Sequence, residues 1–417
     1  MSSSFLLSRF NSLLLLSAVS GTHSGFIRFA FTLWLKSFNI HIIHLALFNL
    51  IFLPYSLKML WLPFVEKTKL EKLFKRYHKK KFGHRKSWTI LLESIIVIMT
   101  AMFIYITPTE ENIFYIMLYA AIYCCLTATK ESIAIAYQME TIKAENWGKT
   151  EGKINAAYQT GFWIGGIFLF SLSSHISWRY LFCGISVLLL IGLLFNLFIQ
   201  DSITHIKKTS SLKETFIQPY KDLIKRNKTL ILPLVIFMTL YRMQDRLLIG
   251  VTNYFFIDLG FKDHFLFGKT LGIIAAIIGG LLGSFCVKKY GYKKALVIGM
   301  IGHILSSLLL LAQSILFPTS YILFYTIMFC EKFTRGFEAT IFFTYQMIFC
   351  SKYFVASQYS ILIALDRLSG TIISSISGYI IDAYGWNIFF IFSFFGTAPS
   401  LWFLRKLPDS PKDIPQE

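Results

Sequence analysis

Residues 83–98 read GHRKSWTILLESIIVI, and residues 291–306 read GYKKALVIGMIGHILS. In both stretches a glycine and two adjacent basic residues precede a long apolar run, and the second stretch starts 208 residues after the first. The stretches 178–182 (WRYLF) and 386–390 (WNIFF) are separated by the same 208 residues. Two matches with one spacing indicate a unit of about half the chain that occurs twice.

The composition places most of the chain in a lipid environment. Of 417 residues, 55% are hydrophobic and only 15% are charged, and the mean hydropathy is +0.58. Soluble proteins carry about 25% charged residues, so a water-soluble enzyme, a disordered chain and a collagen-like repeat are excluded. A helix that crosses a bilayer needs roughly 20 apolar residues. Twelve such runs, spans one to twelve in chain order, cover 12–35, 41–64, 88–107, 113–138, 155–174, 179–199, 229–257, 265–287, 293–312, 320–349, 359–381 and 387–404.

The repeat and the span count together predict the fold class. Two six-helix repeats related by an axis along the membrane normal, with a binding site between them at the midplane, describe the major facilitator fold. We therefore predict an all-α membrane protein with twelve transmembrane helices in two six-helix pseudo-repeats. The predicted domains are an N-terminal six-helix bundle at 1–199, a cytoplasmic linker at 200–228, a C-terminal six-helix bundle at 229–404 and a cytoplasmic tail at 405–417.

The net charge of +19 is concentrated on one side of the membrane. If the N-terminus is cytoplasmic, 29 Lys and Arg residues fall in cytoplasmic segments and 3 in external loops, as the positive-inside rule requires. Both termini are therefore predicted to be cytoplasmic. The densest basic run, Lys67–Lys86, fits an anchor beside anionic lipid, and no nucleic-acid recognition module surrounds it. Span one resembles a signal peptide, but its apolar pattern continues to Trp34, so we expect it to be retained.

Charged residues inside the spans are functional candidates, because a charge at the bilayer centre costs at least about 2.5–3.5 kcal/mol. For four of them the alternative is that the side chain snorkels to the membrane surface: Arg28, Lys130, Glu131 and Lys332. The full set is Arg28, Lys58, Glu93, Lys130, Glu131, Arg242, Asp245, Arg246, Lys269, Glu331, Lys332, Arg335, Glu338, Asp366 and Arg367.

Span seven carries the strongest candidate for a substrate site. Arg242, Asp245 and Arg246 stand mid-way through it, at spacings that place all three on one helical face. Two cations would bind an anionic group while the aspartate partners one of them. The alternative is an internal ion pair that fixes helix packing. Other charges in the same half would share this cavity: Lys269, Glu331, Arg335, Glu338, Asp366 and Arg367.

Two further titratable residues lie on apolar helices. Glu93 is the only charge in the middle of span three, and a carboxyl group without a partner in a low dielectric is often neutral. It would carry a proton or hydrogen-bond to a neighbour. His303 in span nine is interpreted as a packed histidine rather than a proton relay.

Several stretches resemble the AmpG-like permeases of the major facilitator superfamily. They lie at 53–61 (LPYSLKMLW), 128–134 (ATKESIA), 241–245 (YRMQD), 256–261 (FIDLGF) and 357–360 (SQYS). The matches extend from about residue 20 to residue 404 in the family's order. The resemblance implies proton-driven import of anhydromuropeptides, which are cell-wall fragments carrying N-acetylglucosamine, across the inner membrane. It also implies a polar lining made of Lys58, Glu131, Arg242, Asp245, Lys269, Glu331, Gln358, Tyr359 and Arg367.

The sequence departs from the family pattern at several positions. The second acidic residue of the fourth-span motif is Ile135, and the Tyr-Arg pair of span five is Tyr158-Gln159. The aspartate of the superfamily loop motif is Glu66 in the first half and Lys288 in the second. These changes bear on proton coupling and on the muropeptide substrate.

The predicted function is therefore a proton-coupled symporter for peptidoglycan fragments, acting as a monomer without cofactor, bound metal or catalytic residue. The substrate-binding candidates are Tyr158, Gln159, Arg242, Asp245, Arg246, Lys269, Glu331, Tyr359 and Arg367, and the proton-coupling candidates are Glu93, Glu131 and Asp245. The alternatives are a diverged carrier for another small solute and a transport-inactive sensor or scaffold. A membrane enzyme is disfavoured because His78 and His84 lack a nearby Asp or Cys.

Overall fold

The computed structural model describes residues 8–38, 51–68, 70, 83–173, 175–200, 212–249, 251–261, 264–351 and 353–410. Within these ranges the chain forms helices and the turns between them, and no strand occurs. The basic run around Lys79, the first part of the linker and the end of the tail lie outside the described residues.

The described helices of the first half overlap spans one to six, and residues 41–50 of span two lie outside the described residues. These helices are Arg9–Gly25, a π-helical turn Phe26–Ala30 and Phe31–Ser37 (span one); Leu53–Leu57, a 3-10 turn Lys58–Leu60 and Leu62–Lys67 (span two); His84–Met102 and a 3-10 turn Phe103–Tyr105 (span three); Ile113–Thr141 (span four); Trp147–Phe162, a π-helical turn Trp163–Phe168 and Leu169–Leu172 (span five); and Trp178–Asn196 (span six). A 3-10 turn, Ala144–Asn146, precedes span five.

The helices of the second half overlap spans seven to twelve. The elements of this half are Leu212–Arg226 in the linker; a 3-10 turn Lys228–Leu230, Ile231–Leu240, Met243–Ile249 and Thr252–Asp258 (span seven); Phe265–Tyr290 (span eight); Tyr292–Ile315 (span nine); Tyr321–Ile348 (span ten); and Val355–Gly396 with Ser400–Lys406 (spans eleven and twelve). Gly385, with φ 76° and ψ 172°, interrupts Val355–Gly396 between the two predicted spans. A positive φ of this size is readily adopted only by glycine.

The helix starts repeat at the spacing found in the sequence. The helices of spans three, four and five and those of spans nine, ten and eleven start 208 residues apart in each case: His84 and Tyr292, Ile113 and Tyr321, Trp147 and Val355. The structure therefore confirms the 208-residue repeat.

Six of the described helices are long and apolar enough to cross a membrane: His84–Tyr105, Ile113–Thr141, Trp178–Asn196, Phe267–Tyr290, Tyr292–Ile315 and Ser377–Lys406. Other spans fall short for local reasons. Span ten carries four charged residues between Glu331 and Glu338, and spans one, five and seven are divided by π-helical turns or breaks.

The described chain divides into two compact units. The N-unit comprises Met1–Lys143, Ala157–Pro219 and Ser351–Ser360, and the C-unit comprises Ala144–Ala156, Tyr220–Cys350 and Ile361–Glu417. The segments Ala144–Ala156 and Ser351–Ser360 thus group with the opposite sequence half, and they occupy corresponding positions of the repeat. The domain boundaries at residues 199 and 229 stay a prediction.

Aromatic residues fill the core of each unit. In the N-unit, Phe31 and Phe103 are packed edge to face, with ring centroids 5.0 Å apart. In the C-unit, Phe261 and Phe324 are stacked at 4.7 Å. Such ring pairs contribute about 0.5–1.5 kcal/mol beyond the burial of their area, which helps to fix helix packing where lipid supplies no hydrophobic driving force.

Spans one and five pack backbone against backbone in the N-unit. A Cβ atom on Gly161 would lie 1.9 Å from the carbonyl oxygen of Ala18, and one on Gly21 would lie 1.9 Å from the carbonyl oxygen of Tyr158. Real side chains never approach a carbonyl so closely, so only glycine allows this contact. Small residues at a helix interface are a common device for close packing in membranes.

We expect Gly161→Ala to separate these helices and to lower the free energy of unfolding by about 1–3 kcal/mol, as overpacking of a core does. Gly184→Ala is the matched control, because no heavy atom lies within 4 Å of the Cβ position at Gly184. Thermal unfolding of both variants in detergent tests the prediction. Equal midpoints for the two variants would show that the interface is looser than the structure indicates.

Candidate polar sites within the two units

Span seven is interrupted at the position of its charges. The helix Ile231–Leu240 ends there and Met243–Ile249 begins, so that Tyr241 and Arg242 lie in a turn. The buried Tyr241 hydroxyl donates a hydrogen bond to the carbonyl oxygen of Leu296, at 2.7 Å. Irregular backbone at membrane depth is tolerated only where protein covers it or where it lines a water-filled cavity.

Nine ionisable side chains of four spans form one connected group in the C-unit. This C-unit network comprises Arg242, Asp245 and Arg246 of span seven, His303 of span nine, Glu331, Lys332, Arg335 and Glu338 of span ten, and Asp366 of span eleven.

Asp245 lies at the centre of this network. Its Oδ2 accepts a hydrogen bond from Arg242 at 2.8 Å, and its Oδ1 accepts one from Nε of Arg335 at 2.6 Å. Arg335 also donates to Glu331 at 2.8 Å, and Lys332 donates to the same Glu331 oxygen at 2.9 Å. The predicted pairing of Asp245 with an arginine of its own span occurs, and a second arginine on span ten joins it.

Two more carboxylates extend the network. Asp366 accepts a hydrogen bond from Arg246 at 2.5 Å and lies 3.6 Å from Arg242. Glu338 lies 4.0 Å from Nε of Arg242 and directly contacts Nε2 of His303. His303 is buried, as the sequence suggested, but its ring faces a carboxylate rather than apolar side chains.

The cations of the network are more accessible than the anions. The side chains of Arg246, Arg335 and Lys332 are 19–21% exposed, whereas those of their carboxylate partners are 1–3% exposed. The carboxylates thus contact the basic groups on their buried side, and the exposed surface of the network is mainly cationic. This arrangement favours the binding of an anionic group.

Lys269 is half-buried and interacts electrostatically with Glu331 and Lys332, so it adjoins the network. Arg367 is also half-buried in the C-unit, next to Asp366. Tyr158 and Gln159 are half-buried residues of the N-unit. The structure therefore brings Lys269 and Glu331 together with the span-seven triplet and assigns the span-five pair to the other unit.

Two of the lining residues that the resemblance implied are enclosed in the N-unit. Gln358 is fully buried, and its amide bonds to the backbone of Ser351 at 2.6 Å and of Pro219 at 3.1 Å. Tyr359 is 3% exposed. In this conformation the Gln358 amide serves packing rather than a cavity.

Glu93 is not alone, which corrects the expectation from the sequence. Its carboxylate is paired with the ammonium group of Lys130 and lies 3.2 Å from Nε2 of His23. The Nδ1 atom of His23 lies 2.9 Å from the hydroxyl of Tyr123. These four residues, the N-unit cluster, are at most 1% exposed.

Lys130 therefore does not snorkel to the membrane surface, because it is 1% exposed and paired with a carboxylate on span three. Lys332 is partly exposed and pairs with Glu331 beside it. Glu131, the neighbour of Lys130, is half-buried and interacts electrostatically with Arg28 of span one.

Comparison with known proteins agrees with this architecture. The family model described as Major Facilitator Superfamily matches residues 81–365, and a model described as Acetyl-coenzyme A transporter 1 matches residues 9–139. The chain belongs to the Major Facilitator Superfamily. The prediction of twelve transmembrane helices in two pseudo-repeats is thereby confirmed.

Relatives define the branch of the superfamily. A protein of Rickettsia felis is 30% identical over 90% of both chains, and one of Rickettsia typhi is 29% identical over 91% of both. Both are named "Putative transporter AmpG 2". The predicted membership of the AmpG-like permeases is confirmed.

Two solved structures share the fold at low sequence identity. The proton:xylose symporter XylE, bound to 6-bromo-6-deoxy-D-glucose, has a TM-score of 0.68 at 12% identity and covers 98% of this chain and 96% of its own. FucP in the outward conformation also has a TM-score of 0.68, at 13% identity, and the match covers 95% of this chain and 98% of the FucP chain.

A facilitator-superfamily chain with AmpG-like relatives is a secondary transporter of the inner membrane that crosses the membrane several times and carries a small molecule. It is a transporter and not an enzyme. Among the described residues, no group of three or more His, Cys, Asp or Glu side chains is arranged to hold a metal ion.

Glu66 stands where the superfamily loop motif has an aspartate, and its longer side chain is hydrogen-bonded and paired with a basic residue. Its carboxylate accepts hydrogen bonds from the backbone N–H groups of Ala356, at 2.9 Å, and Ser357, at 3.3 Å. Arg85 lies 3.6 Å from it and also donates to Glu140. The two N–H groups belong to the first turn of the helix that begins at Val355, where a negative charge is stabilising.

Two histidines of these sites were not predicted as site residues from the sequence. His23 of the N-unit cluster was not a candidate, and His303 of the C-unit network was interpreted as a packed histidine. The other charged residues of the two groups were among the candidates from the sequence. One signal was available for His23, because a histidine inside an apolar span is costly unless a partner satisfies it.

Proposed function

We propose that this transporter imports anionic cell-wall muropeptides, specifically anhydromuramyl peptides, by alternating access coupled to protons. The observation that carries the proposal is the arrangement of the C-unit network, whose accessible groups are cations and whose anions are buried behind them. A peptide with free carboxylates would bind such a surface through charge-assisted hydrogen bonds. The AmpG-named relatives support the same substrate class.

The proposed orientation places both termini in the cytoplasm. It is supported by the 29 basic residues that this topology puts in cytoplasmic segments, against 3 in external loops. Basic residues beside the helix ends would contact anionic lipid. We propose a monomer, because the carboxylates described above find their basic partners within the same chain.

Proton coupling is proposed at carboxylates that lie close to basic side chains. Glu93, Glu131 and Asp245 are the candidates, and each lies near at least one arginine, lysine or histidine. Protonation of such a carboxylate releases its basic partner, which then favours one conformation over the other. A ligand or proton shifts this equilibrium only by its differential affinity for the two states.

Uptake of labelled disaccharide-peptide into membrane vesicles tests the proposal. We expect accumulation when an inward proton gradient is imposed and its loss when a protonophore collapses the gradient. Uptake that persists at the same level without the gradient would reject coupling and leave facilitated transport. Vesicles that lack the protein supply the background.

A carrier for another small solute is the second candidate. It is favoured by Ile135, which replaces an acidic residue of the family motif, and by Gln159, which replaces an arginine. Counterflow with a panel of cell-wall fragments and unrelated anions separates the two. Binding of a muropeptide without counterflow would instead indicate a transport-inactive sensor.

A further inference from the structure

Arg28 is a cation exposed within a membrane span. It lies about two-thirds of the way along the continuous helical segment of residues 9–37. Its neighbours Phe26, Ile27 and Ala30 are fully buried, whereas the Arg28 side chain is exposed. An arginine left against acyl chains would cost at least about 2.5 kcal/mol, so its surroundings need an explanation.

Those surroundings are protein from three other spans, which argues against a lipid-facing position. The guanidinium lies 4.8 Å from the ring centre of Phe52 and 4.7 Å from that of Tyr55, both of span two. Glu131 of span four and Tyr158 of span five are close enough to interact with it electrostatically. A side chain on which spans one, two, four and five converge faces the interior side of the N-unit rather than its outer surface.

The aromatic contacts position the group and leave its donors available. A cation–π contact places the guanidinium near the face of an aromatic ring and requires no hydrogen bond from its five N–H donors. No described residue accepts a hydrogen bond from Arg28. The planar fork therefore retains the geometry that binds a carboxylate through two parallel hydrogen bonds.

The local backbone fixes the direction in which the Arg28 side chain leaves the helix. Arg28 is the central residue of the π-helical turn Phe26–Ala30, which inserts an extra residue into the helix and shifts the side chains that follow. Beside the turn, a Cβ atom on Gly25 would lie 2.2 Å from the carbonyl oxygen of Phe162 in span five. This close contact holds the turn against span five, so that Arg28 is presented in a rigid setting.

We propose that Arg28 is an anion-binding residue of the N-unit that receives a carboxylate of the transported molecule. The inference rests on the proposed transport of anionic muropeptides and adds to it a second cationic contact, independent of the C-unit network. Substrates with one carboxylate masked would lose the contact. Arg28 acts in substrate binding and does not itself carry the proton, because a guanidinium stays protonated in proteins.

Binding to the purified full-length protein tests this assignment. The probes are the disaccharide-peptide with free carboxylates and the same compound with its carboxylates amidated. We expect wild type to prefer the free acid at least about tenfold and Arg28→Gln to reduce that preference by a factor of at least about three, with the remaining preference due to the C-unit network. Arg179→Gln is the matched control, since Arg179 is an exposed arginine of the same unit outside the proposed site.

Each outcome decides the assignment. If Arg28→Gln keeps the full preference for the acid, or if wild type binds both forms equally, the role of Arg28 is overturned while muropeptide binding stands. If wild type binds neither form, the proposed substrate fails and the assignment fails with it. Should Arg28→Gln not fold, Arg28→Lys decides: a lysine cannot form the two parallel bonds, so an unchanged preference would overturn the role.

Discussion

Asp245→Asn is expected to lower the free energy of unfolding by about 3–5 kcal/mol and to reduce counterflow at least tenfold. Asp245 accepts hydrogen bonds from two guanidinium groups, that of the buried Arg242 and that of the partly exposed Arg335. The variant takes from both arginines their shared carboxylate and leaves the network with excess positive charge, and breaking a buried ion pair costs about that amount in measured cases. The freed arginines would also shift, and a misplaced binding group reduces the rate of any step that depends on its geometry.

Two variants give this prediction its controls. Asp382→Asn removes an exposed carboxylate of the same unit, and we expect unchanged melting and counterflow. The double variant Asp245→Asn/Arg335→Gln removes one charge of each sign, so part of the lost stability should return. If Asp245→Asn melts like wild type in detergent, the network is hydrated more extensively than its 1–3% exposed carboxylates indicate.

The fold was predictable from the sequence because two long-range signals agree. Apolar runs of sufficient length set the number of spans, and the 208-residue spacing assigned them to two repeats. The helix starts at Ile113 and Tyr321 lie at this spacing although their local sequences differ. Helix starts were less predictable, because polar first turns precede the apolar runs: the helices of spans three and five begin at His84 and Trp147, before the predicted residues 88 and 155.

The pairing of charges between spans was less predictable. The ion pair between Asp245 and Arg242 was predictable because residues three apart in a helical span are neighbours. The ion pair between Glu93 and Lys130 was not predictable, since the partners lie on different spans and their contact depends on how each helix is rotated. In span one the π-helical turn at Phe26–Ala30 also breaks the 3.6-residue period, so the direction of Arg28 could not be read from the pattern.

The N-unit cluster allows stability and proton coupling to be separated. Glu93→Gln alone leaves Lys130 buried without its carboxylate, and Lys130→Met alone leaves the carboxylate without its ammonium partner. We expect each single variant to lose about 3–5 kcal/mol of unfolding free energy. Replacement of a buried pair by neutral groups of similar size is often close to neutral, so the double variant should recover most of this loss.

The double variant Glu93→Gln/Lys130→Met then reports on the role of Glu93 in coupling. If Glu93 carries the proton, this stable variant will retain counterflow, which needs no gradient, and lose accumulation driven by a pH gradient. Glu111→Gln, at an exposed carboxylate of the same unit, should retain both activities. Gradient-driven accumulation at the wild-type level in the double variant would assign the N-unit cluster to helix packing and leave Glu131 and Asp245 as the coupling groups. Because melting and transport are measured on the same protein, a loss of coupling cannot be confused with a loss of fold.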